Sequence, residues 1–504
     1  MNLSARLKTL TPAAWLAVLV AAVTLGRLAA AAAVPLTEDE AYYRLWAAQP
    51  QFGYYDHPPM IAWWIWAGTH LVGDNRLGIR LAPCLSAGAV TWLTFDLARR
   101  LGAASATALR AAVWFNATIL VGVGGILATP DAPNMLFWAA CLSCLARTSE
   151  RGGRTWWLAA GAAAGLASLS KYSALFLAPG VLLWLILDKA RRKDLAKPWP
   201  WLACLIAGGL FALNVVWNAR HHWETFTKQF GRVAPQGFAP QFLLELLAGQ
   251  ALLLTPFIAY FVLKGAGQIL RRRPTATVDL RLPFWSAVPF AAYLVVHSLH
   301  DRVQAHWPFP LYSGLAIIAA VTADASELTG WGLWIRRRAD RVGLVVSAVV
   351  LIHMSFSTTD IASFDPMLSL RGWPQFTGEV ERLRAAEGAA WVGTLSYGET
   401  AELDAGKAIH APIVELRERD RYPPADGSWR ADLSKPGLVI DIDRRALSAD
   451  LDACFASVRP LPDMVRGSGA NANLRYAAVL VGGSKPGLVA MGCGKAPPAR
   501  QRVW

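Results

Sequence analysis

The stretch AAWLAVLVAAVTLGRLAAAAAVPLTEDEAYYRLWAAQPQFGYYDHPPMIAWWIW, from Ala13 to Trp66, decides the fold. Residues 13–33 carry a single charge, Arg27, and are long enough to cross the hydrocarbon core of a bilayer as one helix. The segment from Leu36 to Trp66 is of another kind. It gathers an acidic triplet (Glu38, Asp39, Glu40), two tyrosine pairs, an Asp56-His57-Pro58-Pro59 corner and the tryptophans Trp63, Trp64 and Trp66. A plain connection between two membrane helices needs none of these groups. The region of about 34–76 therefore reads as an active-site loop on a membrane surface, its tryptophans placed as interfacial anchors.

The whole chain agrees with a membrane setting. Its 504 residues are 54% hydrophobic and 17% charged, and the mean hydropathy is +0.32. Those values exclude a soluble multidomain protein. The net charge of +14 does not point to nucleic acid, because the Lys and Arg residues sit in short clusters between apolar runs.

Eleven apolar runs predict spans near 13–33, 77–98, 108–127, 132–147, 156–170, 173–188, 199–218, 241–263, 282–299, 307–323 and 341–357. Ala31-Ala32-Ala33 imitates a signal-peptide cleavage site, but the apolar run before it is too long for a signal, so an uncleaved first helix is expected. Under this count the basic clusters, such as Lys189–Lys197, Arg271–Arg273 and Arg336–Arg341, all fall on one side, which is then cytoplasmic. The opposite face collects isolated ionisable groups among aromatics: Asp39, Asp56, His57, Asp131, Lys171, Arg220, His221, His222, Arg232, Arg302 and His306. That mixture predicts an outward-facing polar site.

From about Thr359 to Trp504 the composition turns soluble. TGEVERLRAAEG reads as a surface helix, and WVGTLSY, GLVIDID, RYAAVLV and GLVAMG as short strands between Gly and Pro turns. The expected architecture is an α-helical polytopic membrane protein, residues 1–358, followed by a small external α/β domain, residues 359–504. GVGG at Gly122–Gly125 lies in an apolar helix and reads as a close-packing surface, not as a phosphate loop. Cys141 and Cys144 read as small core residues, whereas Cys454 and Cys493 fall in the external domain, where a disulfide between them is permitted.

Five patches taken together carry a family likeness: DEAYY at Asp39–Tyr43, YYDHPP at Tyr54–Pro59, ATPDAPNMLFW at Ala128–Trp138, GLASLSKYSALFL at Gly165–Leu177 and HWPFPLY at His306–Tyr312. The chain resembles the polyprenyl-phosphate-sugar glycosyltransferases of the GT-C type, in the bacterial protein-mannosyltransferase-like and aminoarabinose-transferase-like branch. The aminoarabinose transferases carry Lys where this chain has His57, so the likeness fits the broader Asp-His-Pro-Pro form, whose sugars and acceptors are diverse.

The resemblance implies an inverting transfer of a sugar from a polyprenyl phosphate to an envelope acceptor (lipopolysaccharide or lipid A, another glycan, or a protein) at the periplasmic face of the inner membrane. Such a step needs a carboxylate to take the acceptor's proton and cationic or N–H donors for the departing phosphate. Asp39 matches the family's catalytic acid position, its alternative being a solvated helix cap; Glu40 is next to it, but adjacent helical residues point about 100° apart, so both carboxylates need not serve one bond. His57 and Lys171 are the phosphate candidates, Tyr55, Arg232, Arg302 and His306 further substrate contacts, and Asp131 either a helix cap or a sugar or acceptor ligand. No cofactor is expected. Asp56, His221 and His222 are the residue types that would hold a divalent ion. A transporter or flippase of lipid-linked sugars is the rival class, and it predicts repeated halves and ionisable groups at mid-membrane; neither is visible in the sequence.

Overall fold

All eleven apolar runs are helical in the computed structural model, which describes residues 11–231, 237–271, 278–325, 327–356, 365–418, 421–422, 431–442, 447–467, 474–485 and 493. The described chain divides into two compact units. One holds Met1–Ala33 with Gln51–Ile352, and the other holds Val34–Pro50 with His353–Trp504.

The helices begin with α1 (Pro12–Ala33), α2 (Glu38–Ala47), α3 (Met60–Val72), α4 (Arg76–Arg100), α5 (Ser105–Ala117), α6 (Ile119–Gly124), α7 (Asp131–Ala146) and α8 (Gly153–Ser168). They continue with α9 (Leu177–Leu187), α10 (Pro198–Arg220), α11 (Glu224–Gly231), α12 (Gln241–Leu253), α13 (Pro256–Leu270), α14 (Arg281–His297), α15 (Tyr312–Ala325) and α16 (Trp331–Phe356). All but α2 lie within the first unit, although the last turn of α16 passes into the second. Helices α1, α4, α10 and α16, of 22, 25, 23 and 26 residues, are each long and apolar enough to cross a bilayer. The chain is an integral multi-pass membrane protein.

Two segments expected as single continuous spans are broken, and two others, 173–188 and 307–323, begin with a 3₁₀ turn. The run over 241–263 forms α12 and α13, bent by 110°. Pro256 causes the break, because it offers no N–H and disfavours helical geometry in the residue before it. Thr255 accordingly sits at φ 65° and caps α13 through its hydroxyl, 3.4 Å from the Ile258 amide. The run over 108–127 divides at Thr118, whose ψ is 136°. Buried Arg27 of α1 bridges that break, donating to the Asn116 side chain at 2.9 Å and to the Val121 carbonyl at 3.1 Å. The run over 173–188 begins as a 3₁₀ turn, Tyr172–Phe176, before α9.

Small residues set the close approaches between helices. A side chain at Gly161 of α8 would lie 2.4 Å from the Ala203 carbonyl of α10. One at Gly122 would strike Ser347 of α16 at 2.1 Å, so the Gly122–Gly125 stretch is the packing surface its sequence suggested.

In the second unit, α2 is joined by α17 (Trp373–Ala386), β1 (Trp391–Thr394), α18 (Tyr397–Ala405), β2 (Ile413–Glu415), β3 (Gly437–Asp441), α19 (Leu447–Cys454), β4 (Phe455–Arg466) and β5 (Leu474–Ser484). The sheet order is β2-β1-β3-β5-β4. The first three strands are parallel, and β5 and β4 are antiparallel to their neighbours. Both faces are covered: Trp391, Val414 and Val439 enter one core, and Val392, Ile413 and Leu438 the other. That is why β1 and β3 read as unbroken apolar runs.

The expected strands at WVGTLSY, GLVIDID and RYAAVLV appear as β1, β3 and β5, while GLVAMG lies outside the described residues. Strand β4 was hidden by Pro460 and Pro462; it forms because it is an edge strand, with a register shift between Leu461 and Met464. The Cys454–Cys493 disulfide is present.

Candidate active site

Three separate segments of the first unit meet at Asp131. It is the first residue of α7, behind Pro130, and it makes no capping bond to its own helix. Its carboxylate turns instead to Lys171, which lies in extended backbone between α8 and the following 3₁₀ turn. The Lys171 ammonium donates to Oδ1 at 2.7 Å and to Oδ2 at 2.8 Å. The His306 Nε2 stands 3.5 Å from Oδ2, and the Asp131 side chain is only 2% exposed.

The His306 side chain keeps 42% of its surface open while protein atoms crowd around its ring. Loss of solvation, opposed by Asp131 and reinforced by the Lys171 ammonium, pushes its pKa down to about 4. The accessible part of the ring weakens this push without changing its direction. His306 is therefore neutral at pH 7, a hydrogen-bonding group and not a second cation.

The YYDHPP loop is held from outside by α10 and α11. Asn214 donates to the Phe52 carbonyl at 2.8 Å, Thr225 to that of Tyr54 at 2.7 Å and Gln229 to that of Asp56 at 2.6 Å. The turn closes on itself where the Tyr54 amide donates to the His57 carbonyl at 3.1 Å, and His57 itself is half-buried. At the loop's far end the Met60 amide donates to the Leu169 carbonyl at 3.0 Å, two residues before Lys171.

A residue that sequence reasoning passed over enters here. Lys228 of α11 pairs with the Asp56 carboxylate and lies 4.4 Å above the Tyr55 ring. Its signal was present but faint: one Lys in a short polar helix among the outward-facing residues already noted.

Other candidates are placed elsewhere. Arg302 forms a two-pronged ion pair with Glu245, at 2.8 and 3.1 Å. His221 stacks on Trp217 at 3.9 Å and bonds the Trp217 carbonyl at 2.8 Å. His222 is exposed, at φ 54°. With Asp56 engaged by Lys228, these residues do not assemble into a ligand set. Among the described residues no group of three His, Cys, Asp or Glu is arranged to hold a metal ion. Arg232 lies outside the described residues.

The acidic triplet belongs to the second unit. Thr37 caps α2, its hydroxyl accepting from the Glu40 amide at 3.2 Å while the Glu40 carboxylate accepts from the Thr37 amide at 3.0 Å. This reciprocal capping box gives the fully buried Glu40 a structural task at the helix start. Asp39 is oriented differently: Tyr397 of α18 donates its phenol proton to Asp39 Oδ1 at 3.0 Å.

Residues 56–217 match the dolichyl-phosphate-mannose-protein mannosyltransferase family. That match covers about a third of the chain. It is 27% identical over 291 residues to the lipid A galacturonosyltransferase RgtD of Rhizobium johnstonii, a match covering 56% of this chain and 59% of that protein. It is 33% identical over 150 residues to an undecaprenyl phosphate-alpha-4-amino-4-deoxy-L-arabinose arabinosyl transferase of Pseudomonas fluorescens, covering 28% of this chain and 25% of the relative. The chain thus spans less than two thirds of the length of these curated relatives.

In three dimensions it is similar to ArnT from Cupriavidus metallidurans, at 16% identity. In the apo state the TM-score is 0.60, over 93% of this chain and 98% of ArnT. With undecaprenyl phosphate bound to ArnT it is 0.59, over 92% and 97%. The shared fold reaches well beyond the 56–217 segment and takes in the C-terminal sheet region.

Proposed function

We propose that this protein is an inverting glycosyltransferase that moves a sugar from undecaprenyl phosphate, or a similar polyprenyl phosphate, to lipid A or another envelope acceptor. The observation that carries the reading is the Lys171–Asp131–His306 cluster: an ammonium held in place by a buried carboxylate, beside a neutral imidazole. Such a pair suits a leaving phosphate, because the cation is preorganised before charge develops. Lys228, held against the YYDHPP loop by Asp56, is a second ammonium for the same phosphate chemistry.

In the reaction the acceptor oxygen forms a bond to the anomeric carbon as the bond from that carbon to the phosphate oxygen breaks. The electron pair leaves with the polyprenyl phosphate, and Asp39 receives the acceptor's proton. This scheme routes no step through a metal or cofactor. The relatives named for lipid A galacturonosyl transfer and for aminoarabinosyl transfer support the donor and acceptor classes.

The reading includes eleven spans with the N-terminus in the cytoplasm, supported by the single-sided basic clusters and by the helicity of all eleven runs. It places the site and the C-terminal unit at the periplasmic face of the bacterial inner membrane.

The test is transfer by full-length protein in lipid nanodiscs, with a panel of undecaprenyl-phosphate-linked sugars and lipid A, read by mass spectrometry. A mass increment on lipid A, or on another envelope acceptor in the same assay, is the expected result. No transfer from any polyprenyl-phosphate donor, by folded protein, overturns the proposal.

A further inference from the structure

The geometry points to Tyr397, backed by Arg421, as a positioning residue that keeps Asp39 ionised and fixed in one orientation for taking the acceptor's proton. The inference rests on the assignment of Asp39 as the base. Every group it uses lies in the second unit, 358 positions along the chain from Asp39 in the case of Tyr397.

Several contacts hold the phenol where it is. The Tyr397 Oη donates to Asp39 Oδ1 at 3.0 Å. The Arg421 guanidinium lies 4.4 Å above the Tyr397 ring and is itself held by Glu418. The Tyr422 hydroxyl donates to the Tyr397 carbonyl at 2.5 Å, and the Tyr42 hydroxyl to the Arg421 carbonyl at 3.1 Å. The Tyr42 ring closes the group, 5.0 Å from Tyr397 and 5.6 Å from Tyr422.

Helices α2 and α18 come this close because residue 398 is glycine. A Cβ there would lie 2.4 Å from the Glu38 carboxylate. Farther along the same two helices, Arg44 and Asp404 form an ion pair at 2.6 Å. The catalytic helix is thus fastened to α18 at both its acidic start and its basic end.

The chemistry follows from these contacts. A hydrogen bond donated to a carboxylate favours its charged form and fixes its rotamer. A guanidinium over the ring face withdraws electron density from the phenol and makes its proton a better donor. Tyr397 never meets the reacting atoms in this account; it acts through Asp39.

The experiment compares wild type, Y397F, R421Q and D39N, each as full-length protein in nanodiscs, with a polyprenyl-phosphate sugar that supports transfer. Folding is checked by thermal melting. Y397F keeps the ring and removes only the hydroxyl. It is expected to lower kcat roughly tenfold to a hundredfold, to leave the donor KM nearly unchanged, and to move the acid limb of the kcat/KM profile to higher pH. R421Q leaves the hydrogen bond in place and is expected to move the limb the same way, less far. If Y397F does not fold, the R421Q profile decides alone.

An unchanged limb in the folded variants, or a loss of rate that is uniform across pH, overturns the positioning role while D39N remains inactive. Transfer by D39N at the wild-type rate has a different meaning: it removes the base assignment itself.

Discussion

Asp131 and Asp39 are both carboxylates in the first turn of a helix, one in each unit, and their surroundings could hardly differ more. Both oxygens of Asp131 accept from the Lys171 ammonium. Asp39 accepts from a neutral phenol. A carboxylate gripped by a cation on both oxygens holds that cation in place, whereas a phenol donor fixes the orientation of the carboxylate it meets. On the proposed reading the contrast separates two tasks that the sequence could only list together: Asp131 would hold the group that meets the phosphate, and Asp39 would receive the proton.

The sharpest way to break this division is to neutralise each acid in turn. D39N is expected to cost roughly 10²–10⁴-fold in kcat, with little change in melting temperature, when transfer is followed by mass spectrometry. A D39N enzyme of normal rate would end the comparison.

On the other side, K171A leaves Asp131 buried and uncompensated. Such a change destabilises by roughly 3–5 kcal/mol, and it is expected to lower the melting temperature in detergent and raise the donor KM. The double variant D131N/K171M removes both charges, so it is expected to recover much of the stability and none of the donor affinity. Recovery of donor affinity in that variant would show that Lys171 has only a structural role.

The division into two compact units gives a third test. Replacing Cys454 and Cys493 by Ser opens the only disulfide among the described residues. It is expected to destabilise the second unit by about 3 kcal/mol. Hydrogen exchange should show the loss in the β4–β5 region and leave α7 and α8 unchanged; equal loss in both units would argue against independent folding.

The smallest effect concerns pH. Burial lifts the Glu415 carboxyl to about 7, countered by the Arg417 and Glu418 amides and assisted by the Glu418 charge. Because the folded value lies above the unfolded one, the protonated acid favours the fold. That stability is full below about pH 4.5 and is lost as pH rises through about 7. The second unit should therefore melt lower at pH 8 than at pH 5, by an amount on the order of 2 kcal/mol, and E415Q should flatten the difference. A melting curve of the wild type that is flat between those pH values would contradict this.

Much of the fold was legible because bilayer chemistry is written locally. A run of twenty apolar residues has few options other than helix, and each such run is largely helical here, though not always as one unbroken helix. Breaks were harder to read, since the Thr255–Pro256 bend and the Thr118 break depend on polar caps and on Arg27 arriving from another helix. Strand β4 escaped notice for a related reason: its prolines are tolerated only at a sheet edge, and edges are defined by neighbours.

Among the site candidates, Asp39, Asp131, Lys171 and His306 stood out in the sequence as ionisable groups among aromatics. Lys228 did not, because a lone Lys in a polar helix gains meaning only once Asp56 and Tyr55 are seen beneath it. Glu40 was the weaker candidate beside Asp39, and only the structure showed its reciprocal bonds with Thr37.

By itself, the sequence determined that this is a multi-pass membrane protein with an α/β unit toward its C-terminal end. Hydrophobic run length, charge clustering and residue type are one-dimensional properties, and they suffice for that much. Only the tertiary structure decided which groups each acid meets. Protonation and hydrogen bonding depend on atoms a few ångströms away, and those atoms come from residues 40 positions distant for Asp131 and 358 for Asp39.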